Sequence, residues 1–163
     1  MKKIFFAMMV AFAVCLLSGC VSHKAPVRQY VLPSYQATEP QPCLTVSMPE
    51  YLEGRNFVQV NYATGEIIVR NGAMWNVPFK RMVMSVLADK LQGTCKGVKV
   101  ELTRFAIDPA GTLLVKGVIK CANDAQAFAF EVAPEKADCA AGALVAQYEK
   151  ALNQLAEELK RAQ

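Results

Sequence analysis

The chain has 163 residues, with 18 Lys+Arg against 14 Asp+Glu, 53% hydrophobic residues and a net charge of +4. This length fits one domain burying about two thirds of its unfolded surface, so no metal or cofactor is needed merely to fold it. A charged fraction of 20% and so small a net charge exclude both a disordered acidic tail and a polycationic nucleic-acid binder.

The amino-terminal segment sets the expected compartment. Lys2 and Lys3 precede an apolar run of fourteen residues, Ile4 to Leu17. A bilayer-spanning helix needs about 20 apolar residues, so this run reads as a secretory signal instead. It ends in Leu17-Ser18-Gly19-Cys20, an aliphatic residue and two small ones before a cysteine, the layout of a bacterial lipobox. Residues 1–19 are therefore expected to leave as a signal peptide, with cleavage between Gly19 and Cys20. The Cys20 thiol would carry diacylglycerol, and with further acyl chains such as palmitate the anchor becomes stable. Val21, where an Asp would retain an enteric lipoprotein in the inner membrane, favours the periplasmic face of the outer membrane. Loss of Lys2 and Lys3 leaves about +2, too weak a balance to imply a partner.

Residues 20–29 read as the lipidated end and a tether, with the lone His23 a solvated part of it; residues 30–163 read as a single periplasmic domain. A short strand is expected at Gln29–Leu32, then a loop from Pro33 through Pro42. Leu44, Val46 and Met48 alternate with polar neighbours, as a half-buried strand does. Phe57–Tyr62 and Glu66–Arg70 follow as a hairpin across Ala63-Thr64-Gly65. The spacing then predicts a helix over Pro78–Gln92, with Asn76 as its cap, Gly93 past its end and Phe79, Met82, Val83, Val86 and Leu87 on one stripe. Lys90 falls in the same sector and can lay its stem on apolar surface. Strands are expected at Val98–Phe105, Thr112–Cys121 and Gln126–Val132, the first two joined across Asp108-Pro109-Ala110-Gly111. A last helix starts near Asp138; its Ala141, Val145, Tyr148, Leu152, Leu155 and Leu159 follow the period of a helical seam. That seam can pack on its own sheet or on a neighbouring subunit. The whole reads as an α+β fold, a mostly antiparallel sheet with two main helices on one face.

With Cys15 in the signal and Cys20 lipidated, Cys43, Cys95, Cys121 and Cys139 remain, an even number in an oxidising compartment. They read as two disulfides with three connectivities open. A hairpin of Val98–Phe105 with Thr112–Cys121 would bring Cys121 near Cys95, favouring Cys95–Cys121 and Cys43–Cys139. Gaps of 52, 26 and 18 residues between them disfavour a metal site, which wants ligands close in sequence.

No catalytic residue is assigned. The folded part holds no histidine to activate a serine or cysteine, and no nucleophile elbow, phosphate loop or dinucleotide fingerprint occurs. Glu50 and Glu53 flank Tyr51 and Leu52 in what reads as a solvated loop. Tyr51, Phe57, Met74, Trp75, Met82 and Met84 gather around the first helix, either as core or as an adaptable apolar surface. Met74 and Met84 lie off the main stripe.

Glu50-Tyr51-Leu52-Glu53-Gly54-Arg55-Asn56-Phe57-Val58, and after the next strand Ala73-Met74-Trp75-Asn76-Val77-Pro78-Phe79, resemble the ABC-type transport auxiliary lipoproteins, and within them the PqiC-like (paraquat-inducible protein C) group. Tyr30-Val31-Leu32-Pro33 is similar to the short Tyr-x-Leu strand with which members begin, and Leu102-Thr103-Arg104-Phe105 with the strand at 112–117 also resembles the family. The likeness covers most of residues 30–160; its specific elements are the Tyr-Leu loop and the Trp-x-x-Pro corner. Many members have Asp-Arg-Pro after Tyr-Leu, where this chain has Glu53-Gly54-Arg55, so no role is carried over to Arg55. Four cysteines exceed the family's usual number, and a tryptophan often found late in the second hairpin is missing. The missing catalytic motifs lead to the expectation of no enzyme, and no cofactor is expected beyond the lipid on Cys20. The resemblance implies an outer-membrane lipoprotein working with an inner-membrane-anchored MCE tunnel protein to move phospholipid across the envelope, as a ring-like homo-oligomer. Tyr51, Leu52, Trp75 and Pro78 would shape the family corner or border an interface. The alternative is a monomeric envelope lipoprotein, an accessory to lipopolysaccharide transport or barrel assembly.

Overall fold

The computed structural model describes residues 26–37, 43–91, 97–121, 124–134 and 141–163. The signal and Cys20, His23, Gly93, Cys95 and Cys139 lie outside the described residues, as does the start of the last helix near Asp138.

The cleanest alternating runs form an antiparallel meander: β5 (Val98–Ile107), β6 (Leu113–Cys121) and β7 (Asp124–Val132). Between β5 and β6, Asp108 closes the turn; its Oδ1 accepts the Thr112 N–H at 2.8 Å and its own N–H donates to the Thr112 carbonyl. The register runs Leu102↔Gly117 and then Arg104↔Lys116, leaving Thr103 as an extra residue in β5. This bulge resets the alternation. Val98, Val100 and Leu102 precede it on the covered face, and Phe105 and Ile107 continue on that face after it. Without the extra residue Phe105 would turn to the open side.

Upstream, β1 (Arg28–Tyr30), β2 (Leu44–Ser47), β3 (Asn56–Asn61) and β4 (Glu66–Trp75) complete a seven-stranded sheet of order β1-β4-β3-β5-β6-β7. β2 lies parallel to the first half of β5, and β3 touches its far end through Gln59↔Ile107. β3 and β4 form the expected hairpin, while β1 adds parallel to the end of β4. The sheet is mostly antiparallel and the fold is α+β, as expected.

Three helices accompany it: α1 (Glu50–Glu53), α2 (Phe79–Lys90) and α3 (Ala141–Arg161). The α2 stripe of Phe79, Met82, Val83, Val86 and Leu87 is fully buried. On α3, Val145, Tyr148, Leu152, Leu155 and Leu159 are buried and Ala141 is half-buried. The seam packs on β6, β7 and α2 of its own chain. Long apolar side chains at such spacing hold a helix mainly through packing rather than propensity.

Several expectations are corrected. Glu50 and Glu53 sit in the single helical turn of α1, not a loop, where Leu52 N–H donates to Pro49 O at 2.9 Å. The cap of α2 is Pro78 rather than Asn76, and no side chain caps it. Asn76 instead donates its backbone N–H to Tyr30 O at 2.7 Å, tying β1 down. β1 ends at Tyr30, although Leu32 beyond it is buried. β4 runs on past Arg70 to Trp75, because β1 and the start of β3 supply partners for that stretch.

Candidate functional site

The segments that carry the family likeness converge on one corner. Trp75 ends β4 and is 2% exposed; its ring stacks on Phe57 at 4.0 Å between centroids and on Phe79 at 5.1 Å. Tyr148 of α3 meets Trp75, Phe79, Phe57 and Phe105 edge-on, and Tyr30 meets Phe57 likewise. Edge-to-face and offset pairs add about 0.5–1.5 kcal/mol each beyond area burial. Burial pushes the Tyr148 phenol well above its ordinary pKa, so it stays neutral.

Main-chain bonds lock the corner. Trp75 N–H donates to Arg55 O at 2.7 Å and Phe79 N–H to Gly54 O at 2.8 Å, joining the loop after α1 to the Trp-x-x-Pro segment. Pro78 O accepts from Arg81 and Met82 in the first turn of α2. Lys80 forms an ion pair with Glu53, and Ser85 Oγ donates to Gln36 O. Of the four residues assigned to the corner, Leu52 and Trp75 are buried, whereas Tyr51 and Pro78 are half-buried. The structure therefore brings all four together. Their chemistry is that of a sealed structural joint, with Tyr51 and Pro78 at its rim.

The aromatic and methionine group divides accordingly. Phe57, Trp75 and Met82 are core; Met74 and Met84 are half-buried. Near the β3–β4 turn, Arg104 lies over the Tyr62 ring at 4.5 Å. Burial first, and the nearby Tyr51 next, push the Tyr62 phenol above its ordinary pKa. Glu53 is held by Lys80, on the first turn of α2. No group of three or more His, Cys, Asp or Glu able to hold a metal occurs among the described residues.

Cys43 and Cys121 are half-buried and flank the same end of β5, Leu44 and Cys121 both pairing with Val98. One lies on each side of that strand, about 10 Å apart at two strand spacings. That separation excludes a Cys43–Cys121 bond and with it one of the three connectivities. Cys121 stands as a free thiol, against the expected Cys95–Cys121 pair; Cys95 and Cys139 lie outside the described residues.

The feature sequence reasoning missed is the outer edge of β4. Ile67, Ile68 and Val69 are 46%, 41% and 47% exposed. With Val27 and Val31 beside β1, they are the large apolar side chains standing exposed among the described residues. The signal was present as three consecutive β-branched residues, but a hairpin strand predicts one covered face.

The fold is a seven-stranded, mostly antiparallel sheet with two long helices on one face, and this architecture recurs in solved structures. It is similar to the crystal structure of an uncharacterized protein at a TM-score of 0.65 and 17% identity, over 84% of this chain and 98% of that one. It is also similar to protein XCC0632 from Xanthomonas campestris, of family DUF330, at a TM-score of 0.54 and 20% identity, over 83% of this chain and 90% of that one. No protein-family model and no curated protein matches the sequence.

Proposed function

We propose that this chain is a PqiC-like lipoprotein of the outer membrane that docks the periplasmic end of an inner-membrane-anchored MCE tunnel in phospholipid transport. The observation that carries the reading is the fold shared with a DUF330 protein over 83% of the chain, DUF330 being the family of PqiC-like lipoproteins. The lipobox at Leu17–Cys20 and the convergence of Tyr51, Leu52, Trp75 and Pro78 on one corner support it. The role is non-catalytic: a lipid in transit needs shelter from water, and a lipidated, ring-like homo-oligomer offers a docking platform for the tunnel.

The test is chemical cross-linking in intact envelopes of cells making the full-length chain with a carboxy-terminal tag, followed by mass spectrometry of what the tag recovers. An MCE-domain protein is expected, and its recovery should fall at least about tenfold with Cys20→Ala, since anchoring sets the effective concentration. Recovery of barrel-assembly or lipopolysaccharide-transport proteins in its place would overturn the reading in favour of an assembly accessory.

A further inference from the structure

The β3–β4 hairpin presents a strand edge whose outer side is unpaired by any other strand along Glu66–Gly72 among the described residues. Its turn is fixed: Asn61 Oδ1 accepts the Ala63 N–H at 3.1 Å, Gly65 N–H donates to Asn61 O at 2.8 Å, and Gly65 adopts φ +77°. Along Glu66–Val69 the inner edge of β4 pairs with β3, whereas β1 covers the outer edge only at Ala73–Trp75. Between the turn and β1, the outer edge carries no strand among the described residues. Ile67 and Val69 share a face with the buried Val60 and Val58, their partners in β3; Ile68 shares the other face with Gln59. An exposed apolar edge is the usual template for strand addition.

The residues on this edge specify what adds to it. Glu66-Ile67-Ile68-Val69-Arg70 reads acid, three β-branched residues, base. Paired antiparallel with its own copy about Ile68, the segment sets Glu66 opposite Arg70, Ile67 opposite Val69 and Ile68 opposite Ile68 of the second copy. Every position then meets its chemical complement. A parallel in-register pair would set like charges opposite each other, which is unfavourable. The same register carries the second copy's hairpin tip alongside residues 71 and 72. There the surface is concave, lined by Tyr30, Arg70, Asn71, Gly72, Ala73 and Ala141.

We propose that two copies of this chain associate through an antiparallel β4–β4 pairing centred on Ile68, continuing the sheet from one molecule into the other. The contact is two-fold and closes on a pair. It is therefore a different surface from the head-to-tail contact that a larger ring requires, and it stands apart from tunnel docking. Five residues a side bury less than the roughly 1,200 Å² of a stable free dimer. Pairing is accordingly expected to be strongest where copies are concentrated.

Single cysteines introduced into the full-length chain, oxidised in isolated envelopes, test the register. Ile68→Cys should give a disulfide-linked dimer at least about tenfold above the unmodified chain, whose own cysteines set the background. Ile67→Cys alone should give far less, because its partner in this register is Val69. Cells making both Ile67→Cys and Val69→Cys chains should restore the yield. Equal cross-linking at 67, 68 and 69 would overturn the proposal as collision without register. So would a cross-linked product containing another protein, or no dimer from an Ile68→Cys chain whose circular dichroism is native. A second readout is Ile68→Lys, which should keep the fold and abolish the wild-type pair in cross-linking with a lysine-independent reagent.

Discussion

A methyl group at residue 117 has nowhere to go: a Cβ there would lie 2.3 Å from the Glu101 carbonyl oxygen and 2.9 Å from the Phe128 ring. Both neighbours are fixed, one as backbone of β5 and the other as a buried ring. Gly117→Ala is expected to cost about 2–3 kcal/mol through forced displacement, read as a lower denaturant midpoint at unchanged slope. Gln147 is another residue whose identity is dictated by its surroundings. Buried on α3, its amide donates to Gly111 O at 3.0 Å and also to Val132 O, bridging the β5–β6 turn and the end of β7. Gln147→Met fills similar space but strands two carbonyls, and should lose about 2 kcal/mol in the same measurement. Glu101 gives a pH handle. Hydrogen bonds from Lys120 and then Lys99 hold its carboxyl down from 4.5 to about 2. The folded value is depressed, so the contribution is present above 4.5 and is lost as pH falls from there toward 2. Glu101→Gln should therefore flatten the fall in the urea midpoint between pH 5 and pH 2.5. The carboxylate is solvent-accessible, so the difference should shrink with added salt.

At the scale of elements, the aromatic corner is the joint between the sheet's β3–β4 wing and the two long helices. Trp75→Ala removes the ring that stacks on both Phe57 and Phe79, and should cost about 3–5 kcal/mol, seen as a large drop in thermal midpoint with loss of near-ultraviolet dichroism. The periodic elements were legible in the sequence. Both long helices and the strands from Leu44 onward other than β4, which runs on from Arg70 to Trp75, fall close to their expected places, because alternation and the i, i+3, i+4 stripe record which side chains face the core. What was not legible depended on partners distant in the chain. β4 continues through Gly72 only because β1 and Asn56 meet it there, and the one-turn α1 is held by the corner it abuts. The bulge at Thr103 left a mark, since the clean alternation of Val98, Val100 and Leu102 breaks before Phe105; its meaning required the register with β6. The corner residues were found through a family likeness and are explained by burial. The β4 edge was passed over because alternation cannot tell a covered strand from an exposed one.

For the whole molecule, the long helices pack on β2, β6 and β7, while the outer edge of β4 from Glu66 to Gly72 carries no strand among the described residues, so the surfaces open to other chains are distributed unevenly. If Cys20 carries the anchor, Cys20→Ala should move the protein from the membrane pellet to the soluble periplasmic fraction without altering its thermal midpoint, because residues 20–25 lie upstream of β1. The same arrangement has a mechanical side. The chain enters the sheet through β1, whose Arg28, Gln29 and Tyr30 lie parallel to Ala73, Met74 and Trp75. Tension drawn back along the strand from the amino end loads these pairs together, in shear, instead of peeling them apart one by one. The Asn76–Tyr30 bond at 2.7 Å and the Tyr30 ring against Phe57 resist the same displacement. If Cys20 carries the anchor, a tug on it would be resisted at Tyr30, the register partner of Trp75, with the three-residue strand as the clutch between anchor and domain.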